Sequence, residues 1–204
     1  NDELYGSQWH FKNRGQSLGT PGIDANIERA WDQVQGSGIV IGIVDDGLQR
    51  THPDLLPNAW FNPLEIPGNG IDDDGNGLID DINGWDFIDN DNDPSPPSDA
   101  PHGTLVAGGA APRGNNSVGV TGAAPQSQLA GIRLLPLPGV NQSVSGPVND
   151  LAISRALSYQ SQQIHIYNNS WGPPDRGVLS RPGPLSLAAL RSGVDSGRDG
   201  LGSI

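Results

Sequence analysis

Several features that would define other classes of protein are missing from this sequence of 204 residues. It contains no cysteine, which excludes a disulfide framework, a thiolate nucleophile and a Cys-ligated zinc site. The longest apolar stretch, 39–44, is far shorter than the roughly 18 residues that a membrane span requires, so we expect no membrane partner. The chain has 11 basic residues and no basic patch, which argues against nucleic acid as the main partner.

Acidic residues, by contrast, are abundant and unevenly placed. The net charge is −12, and 20 of the 23 acidic residues are Asp. Nine of these Asp lie in one acidic segment, and without them the net charge would be −3. They are Asp72, Asp73, Asp74, Asp80, Asp81, Asp86, Asp89, Asp91 and Asp93. Asp interleaved with Gly and Asn is more typical of metal-binding loops than of a solvated acidic tail, so we expect a calcium-binding insert at about 62–95.

The first half of this insert resembles the front of an EF-hand loop. Oxygen ligands alternate from Asp72 to Asp80, with Gly77 at the sixth position and the carbonyl of Leu78 at the seventh. Asn83 stands where an EF-hand has Glu, so Asp81 is expected to close the site instead. A solvated, disordered acidic loop is the alternative interpretation. The predicted ligands are Asp72, Asp74, Asn76, Leu78, Asp80 and Asp81.

Strands alternate with helices along the rest of the chain. The β-branched run 38–44 predicts a buried strand, and 128–135 and 164–167 predict two more. Segments 102–111, 148–160 and 185–194 have helical composition or spacing. This order predicts an α/β protein with a mostly parallel sheet, in which functional residues collect where the strands end.

Two such residues are Asp45, at the end of the first strand, and His102, at the start of a helix. Either residue alone is weak evidence of catalysis, but together they suggest a carboxylate that orients a histidine acting as a general base. The segments VDDGLQRTHPDL, HGTLVAGGAAPRGNNSVGVTGAAP and IHIYNNSWGPPD resemble the subtilisin-like serine proteases, and the terminal GRDGLGSI is closest to the kexin and furin group. The resemblance implies a subtilisin-like fold of a sheet flanked by helices, incomplete in this chain, with 1–204 forming the N-terminal portion of a catalytic domain.

The resemblance implies that Asp45 orients His102, which acts as the general base, while Ser170, Trp171 and Gly172 bind the substrate backbone as an added strand. The oxyanion-hole Asn and the nucleophilic Ser of the family have no counterpart here, because no Ser in this chain stands in a nucleophile motif. We therefore expect a companion chain or a missing C-terminal part to supply both residues.

The resemblance also implies a specificity for basic substrate residues, which acidic residues near the substrate cleft would bind. Asp175 matches the acid at the base of the primary pocket of the furin group, whereas Asp46 and Asp99 match acids that contact the next residue upstream. Ile153 replaces a further acid of that group, so basic selection four residues upstream is not expected. These residues predict cleavage after Arg, and also after Lys.

Two further calcium sites are implied by the same resemblance. One uses the second half of the insert, with Asp86, Asp89, Asp91 and Asp93. The other uses Asp2, Asp54, Asn116 and the carbonyls of Arg113, Val118 and Val120.

The sequence thus predicts a calcium-dependent serine endopeptidase acting on peptide or protein substrates. A start without Met and calcium loops suited to millimolar calcium predict a processed zymogen that is secreted or periplasmic. Two alternatives are a non-catalytic calcium-binding adhesion or scaffold module and a nucleotide-binding α/β domain. The second lacks any G-x-G-x-x-G or P-loop pattern.

Overall fold

A four-stranded parallel sheet in the order β2-β3-β1-β4 forms the centre of the protein in a computed structural model. The structure describes residues 2–97, 100–136, 148–172 and 181–204. The strands are β1 (Val40–Asp45), β2 (Gly84–Asp86), β3 (Gln128–Arg133) and β4 (Ile166–Asn169). The helices are α1 (Glu28–Trp31), α2 (His102–Ala110), α3 (Asp150–Ser158) and α4 (Pro184–Gly200), with short 3-10 turns at Tyr5–Ser7 and Leu56–Asn58.

Strand β1 is the centre of the core because all six of its residues are buried. Its side chains alternate between two apolar clusters, as the two-residue period of a strand requires. Val40 and Val44 join one cluster, while Ile41 and Ile43 join the other. The continuous apolar run that predicted this strand thus reflects burial on both faces of the sheet.

The predicted α/β class and parallel sheet are confirmed, and each of the three predicted strands has a counterpart. The structure adds β2, which lies within the predicted acidic insert and was not predicted as a strand. This short strand pairs with β3, and its partners are Gly131, Ile132 and Arg133. The second half of the insert is therefore attached to the edge of the sheet.

Helices α3 and α4 pack against each other through a polar contact at their starts. The carboxylate of Asp150 accepts hydrogen bonds from the backbone N–H groups of Leu185 (2.8 Å) and Ser186 (2.9 Å), and from the Ser186 hydroxyl (2.5 Å). It thereby caps the N-terminus of α4, where a negative charge is favourable. Non-helical backbone at Gly197, Arg198 and Asp199 interrupts the other end of α4.

Within the described residues, none of the helices is both long enough and apolar enough to cross a membrane.

Candidate active site

The carboxyl end of β1 and the start of α2 bring Asp45 and His102 together. His102 Nδ1 lies 2.7 Å from Asp45 Oδ1. The Asp45 side chain is fully buried, whereas 54% of the His102 side chain is exposed. This geometry lets Asp45 fix the ring orientation and the Nδ1–H tautomer, leaving Nε2 to act as a proton acceptor. The hydrogen bond to Asp45, supported by the charges of Asp45 and Asp46, raises the pKa of His102.

Asp46 fixes the helix that carries His102. Its Oδ1 accepts from the backbone N–H of Gly103 at 2.7 Å, and its Oδ2 accepts from that of His102 at 3.2 Å. The residue is 4% exposed. Its carboxylate therefore caps α2 in this structure, while its predicted contact with substrate stays a prediction.

Glycine is required at position 103 by the close approach of α2 to β1. A Cβ at Gly103 would lie 2.3 Å from the carbonyl oxygen of Gly47 and 2.8 Å from the Cβ of Asp45. Either separation is far inside van der Waals contact. Any larger residue would push α2, and with it His102, away from Asp45.

The predicted substrate-binding segment follows β4 directly, next to the strand that carries Asp45. Asn169 pairs with Val44, so Ser170 follows at the level of Asp45. Trp171 donates its indole N–H to the carbonyl of Val44 at 2.9 Å, which anchors the segment to β1. Ser170 and Gly172 are exposed. Asp99 and Asp175, the other two predicted specificity residues, lie outside the described residues.

Asp2 and Asp54 converge on the loop 113–120, as the resemblance implied. Asp54 Oδ1 accepts from Asn116 Nδ2 at 2.9 Å, and Asp54 Oδ2 accepts from the N–H of Val120 at 2.8 Å. Asp2 accepts from the N–H of Asn116 at 2.9 Å. Both carboxylates are buried. A Cβ at Gly119 would lie 2.5 Å from Asp54 Oδ2, so the loop closes tightly around this carboxylate.

The chemistry of this donor set fits calcium. Two buried carboxylates are hard ligands of the kind that calcium binds, while Asn116 presents its amide nitrogen to Asp54 and its Oδ1 accepts from the N–H of Val118. The carbonyls of Arg113, Val118 and Val120 accept no hydrogen bond from any described residue, and their predicted role as ligands stays a prediction.

The acidic insert, whose spacing predicted an EF-hand-like shell, folds as a series of turns that its carboxylates close. The carboxylate of Asp72 accepts from the backbone N–H groups of residues 75–77, and that of Asp80 accepts from those of residues 68–70. Asp72 thus closes a turn near its own position, as short acidic side chains often do, whereas Asp80 holds a turn that lies 10 to 12 residues before it. Leu78 places its side chain in the core. Asp72 Oδ1 (3.1 Å) and Asp74 Oδ1 (3.0 Å) accept from the same N–H group, that of Asn76, so these two carboxylates lie side by side, and the predicted ligand set stays a prediction.

A different acidic cluster forms from Glu65, Asp74 and Asp81, which we call the insert cluster. One carboxylate oxygen of each lies within 4.8 Å of the others, and no other group of three His, Asp or Glu side chains this close occurs in the described parts of the chain. Burial raises the pKa of both Glu65 and Asp81. Glu65 was not among the predicted ligands, because it lies seven residues before the regular Asp spacing begins.

Asp86 and Asp89, two ligands of the predicted second calcium cluster, each form an ion pair with Arg133. The Arg133 guanidinium contacts the carboxylate of Asp86 and lies 2.5 Å from Asp89 Oδ2. Arg133 ends β3 opposite Asp86 of β2, so strand pairing creates this contact. Asp91 and Asp93 each accept a backbone N–H two residues ahead, from Asp93 and Ser95. The sequence did not predict Arg133 as the counterion of Asp86 and Asp89.

Asp45 and His102 thus form a hydrogen-bonded pair at the carboxyl end of a parallel sheet, beside an exposed strand terminus, in a protein of the α/β class. A profile described as "Subtilase family" matches residues 36–203. The chain therefore belongs to the subtilase family, and the predicted subtilisin-like fold and the resemblance to the kexin and furin group are confirmed.

Individual relatives agree with this assignment. The chain is 38% identical over 209 residues to the "PC3-like endoprotease variant B" of Hydra vulgaris and 36% identical over 210 residues to human "Neuroendocrine convertase 2". The alignments cover 100% of this chain but only 25% and 28% of those proteins, so the chain spans about a quarter of their length.

Solved structures show the same architecture. The serine protease of Aeromonas sobria matches with a TM-score of 0.69 and 27% identity, over 96% of this chain and 30% of that one. Fervidolysin from Fervidobacterium pennivorans matches with a TM-score of 0.58 and 19% identity, over 94% of this chain and 24% of that one. The second similarity concerns the fold alone.

Proposed function

We propose that this chain is the N-terminal portion of the catalytic domain of a serine endopeptidase. The observation that carries the proposal is the 2.7 Å contact between His102 and the fully buried Asp45. Membership of the subtilase family supports the same reaction class. A non-catalytic calcium-binding module would not require a buried carboxylate aligned on a half-exposed histidine.

The chemistry assigned to these residues is acyl transfer. His102 Nε2 takes the proton from a serine hydroxyl as its oxygen attacks the scissile carbonyl, and Asp45 stabilises the resulting imidazolium. The same proton then passes to the amine that leaves when the C–N bond breaks. Within the described residues no hydroxyl hydrogen-bonds to the His102 ring, and Ser203 instead donates to the carbonyl of Ile164. The nucleophile and the oxyanion-hole Asn are therefore assigned to sequence outside these residues, in the same or a companion chain.

His102 should be active only as the neutral imidazole, so kcat/KM should rise with pH through a pKa above the ordinary value of about 6.5. Asp45 and Asp46 are the charged groups that raise this pKa. Asp45→Asn should lower the apparent pKa and reduce kcat by about 10⁴-fold, because the wrong tautomer of His102 is then favoured.

The pH–rate profiles of the unmodified full-length protein and of the Asp45→Asn variant would test this expectation. Asp195→Asn, a charge-matched change at an exposed position on α4, serves as the control and should leave the profile unchanged. An Asp45→Asn profile that coincides with that of the unmodified protein would contradict the role assigned to Asp45.

We also propose that the substrate lies along Ser170–Gly172 and that cleavage follows Arg, and to a smaller extent Lys. The support is the exposed end of β4 beside Asp45, together with the motif position of Asp175. Arg is favoured because its planar guanidinium can pair with a carboxylate in a bidentate geometry.

A peptide library with every residue at the position before the cut would measure this preference. Asp175→Asn should reduce kcat/KM for Arg substrates by about 10²–10³-fold, because a buried cation loses its charged partner. It should leave cleavage of apolar substrates nearly unchanged. An apolar preference in the unmodified protein would refute the assignment.

Calcium at the Asp2–Asp54–Asn116 loop would neutralise two buried carboxylates and fix the loop 113–120, which follows α2. The further proposal that the protein acts outside the cytosol, as a secreted or periplasmic enzyme, is supported by these oxygen-rich loops, which suit millimolar calcium.

A further inference from the structure

The insert cluster contains a carboxylate oxygen that the protein itself does not satisfy. Glu65 is 4% exposed, and its Oε1 accepts from the backbone N–H groups of Asp73 (2.9 Å) and Asp74 (3.1 Å). Its Oε2 is buried and has no hydrogen-bond donor among the described residues. A buried charged oxygen without a partner is costly, so this atom points to a ligand.

The other two carboxylates are held in place by amide groups. Asn62 Nδ2 donates to Asp81 Oδ1 at 2.8 Å, and Gln160 Nε2 donates to Asp74 Oδ2 at 2.7 Å. Asn76 Nδ2 donates to Asp81 Oδ2 at 2.9 Å. Amide donors orient the carboxylates in the way that outer-shell partners orient metal ligands, but they carry no charge. The four ion pairs found in the described parts of the chain do not involve this cluster.

The separation of the three carboxylates suits one cation. Their oxygens lie within 4.8 Å of one another, and calcium binds oxygen at about 2.3–2.6 Å, so a single ion can contact all three. Magnesium usually keeps several waters and is bound by only one or two carboxylates, so a set of three carboxylates favours calcium. A cleft lined by Asn76 and Gln160, which both hydrogen-bond to the cluster, lies next to it.

We propose that Glu65, Asp74 and Asp81 bind one calcium ion, separate from the Asp2–Asp54–Asn116 loop. Asp74 and Asp81 belong to the acidic insert, and Gln160 belongs to the turn that follows α3. The ion therefore fastens the insert to the body of the protein at the end of α3. The site does not depend on the proposed peptidase activity, and its test measures ion binding rather than turnover.

The direct experiment counts calcium ions bound to the full-length protein by isothermal titration calorimetry, without substrate. Glu65→Gln keeps an oxygen that accepts from Asp73 and Asp74 but removes the charge. It should bind one ion fewer, or bind that ion with an affinity at least ~10-fold lower. Asp73→Asn is the matched control, because Asp73 is exposed and, among the described residues, its carboxylate accepts hydrogen bonds from Ile66 and Asn69 alone.

A second measurement separates ion binding from a purely structural role of Glu65. Without calcium, Glu65→Gln should melt at a higher temperature than the unmodified protein, because a repulsive charge is gone. With calcium the order should reverse. Asp74→Asn provides the same comparison if Glu65→Gln does not fold. An unchanged ion count and affinity in the variants, or a melting-temperature difference that does not depend on calcium, would overturn the proposal.

Discussion

Replacing His102 with Ala in the full-length protein should reduce kcat by about 10⁶-fold, the scale observed when the base of a Ser–His–Asp triad is removed. The loss is this large because nucleophile, base and orienting carboxylate act as a unit, so the serine hydroxyl is not activated without the base. KM should change little, since the ring contacts the reacting atoms and not the substrate side chains. Steady-state hydrolysis of an Arg-containing peptide measures the effect.

The controls address folding and chemical identity. More than half of the His102 side chain is exposed, so its truncation should leave the core intact. His102→Gln keeps a polar side chain of similar size and should be as inactive as the Ala variant. His10→Ala removes an exposed histidine far along the chain from this pair and should retain full activity. Activity of His102→Ala within tenfold of the unmodified protein would refute the catalytic assignment.

Replacing Arg133 with Met should lower the free energy of unfolding by about 3–5 kcal/mol, because Asp86 would be left as a buried charge without a counterion. Only 2% of the Asp86 side chain and 10% of the Arg133 side chain are exposed. The contact also joins β2 to the end of β3, so its loss should weaken the attachment of the insert. Chemical denaturation with a comparison of m-values measures the change.

A double variant separates loss of the charge pair from loss of packing. Arg133→Met combined with Asp86→Asn should recover most of the lost stability, because the buried charge is then removed as well. Arg191→Met, an exposed change on α4, should stay within about 0.5 kcal/mol of the unmodified protein. If Asp86 and Asp89 instead bind calcium as the resemblance implied, Arg133→Met should be rescued by millimolar calcium without the second substitution.

Local patterns in the sequence determined the class of fold and identified the candidate pair, Asp45 and His102. The uninterrupted β-branched run around Ile41 and Ile43 predicts a strand buried on both faces, and both residues are buried there. Asp45 and His102 were identified by motifs that include their immediate neighbours. The structure then brings them into contact, because the end of β1 meets the start of α2. Such features are encoded by neighbours in the chain and can be inferred from it.

Partners distant in sequence were decided only by the tertiary structure. Glu65 joins Asp74 and Asp81 because turns closed by Asp72 and Asp80 fold the insert back on itself. Arg133 meets Asp86, 47 positions away, because β2 pairs with β3. The acidic spacing predicted that carboxylate oxygens would lie close together. The local sequence around a carboxylate is the same, however, whether its partner is a nearby N–H, a guanidinium or a cation. Which of the three it contacts depends on where the backbone places the other side chains.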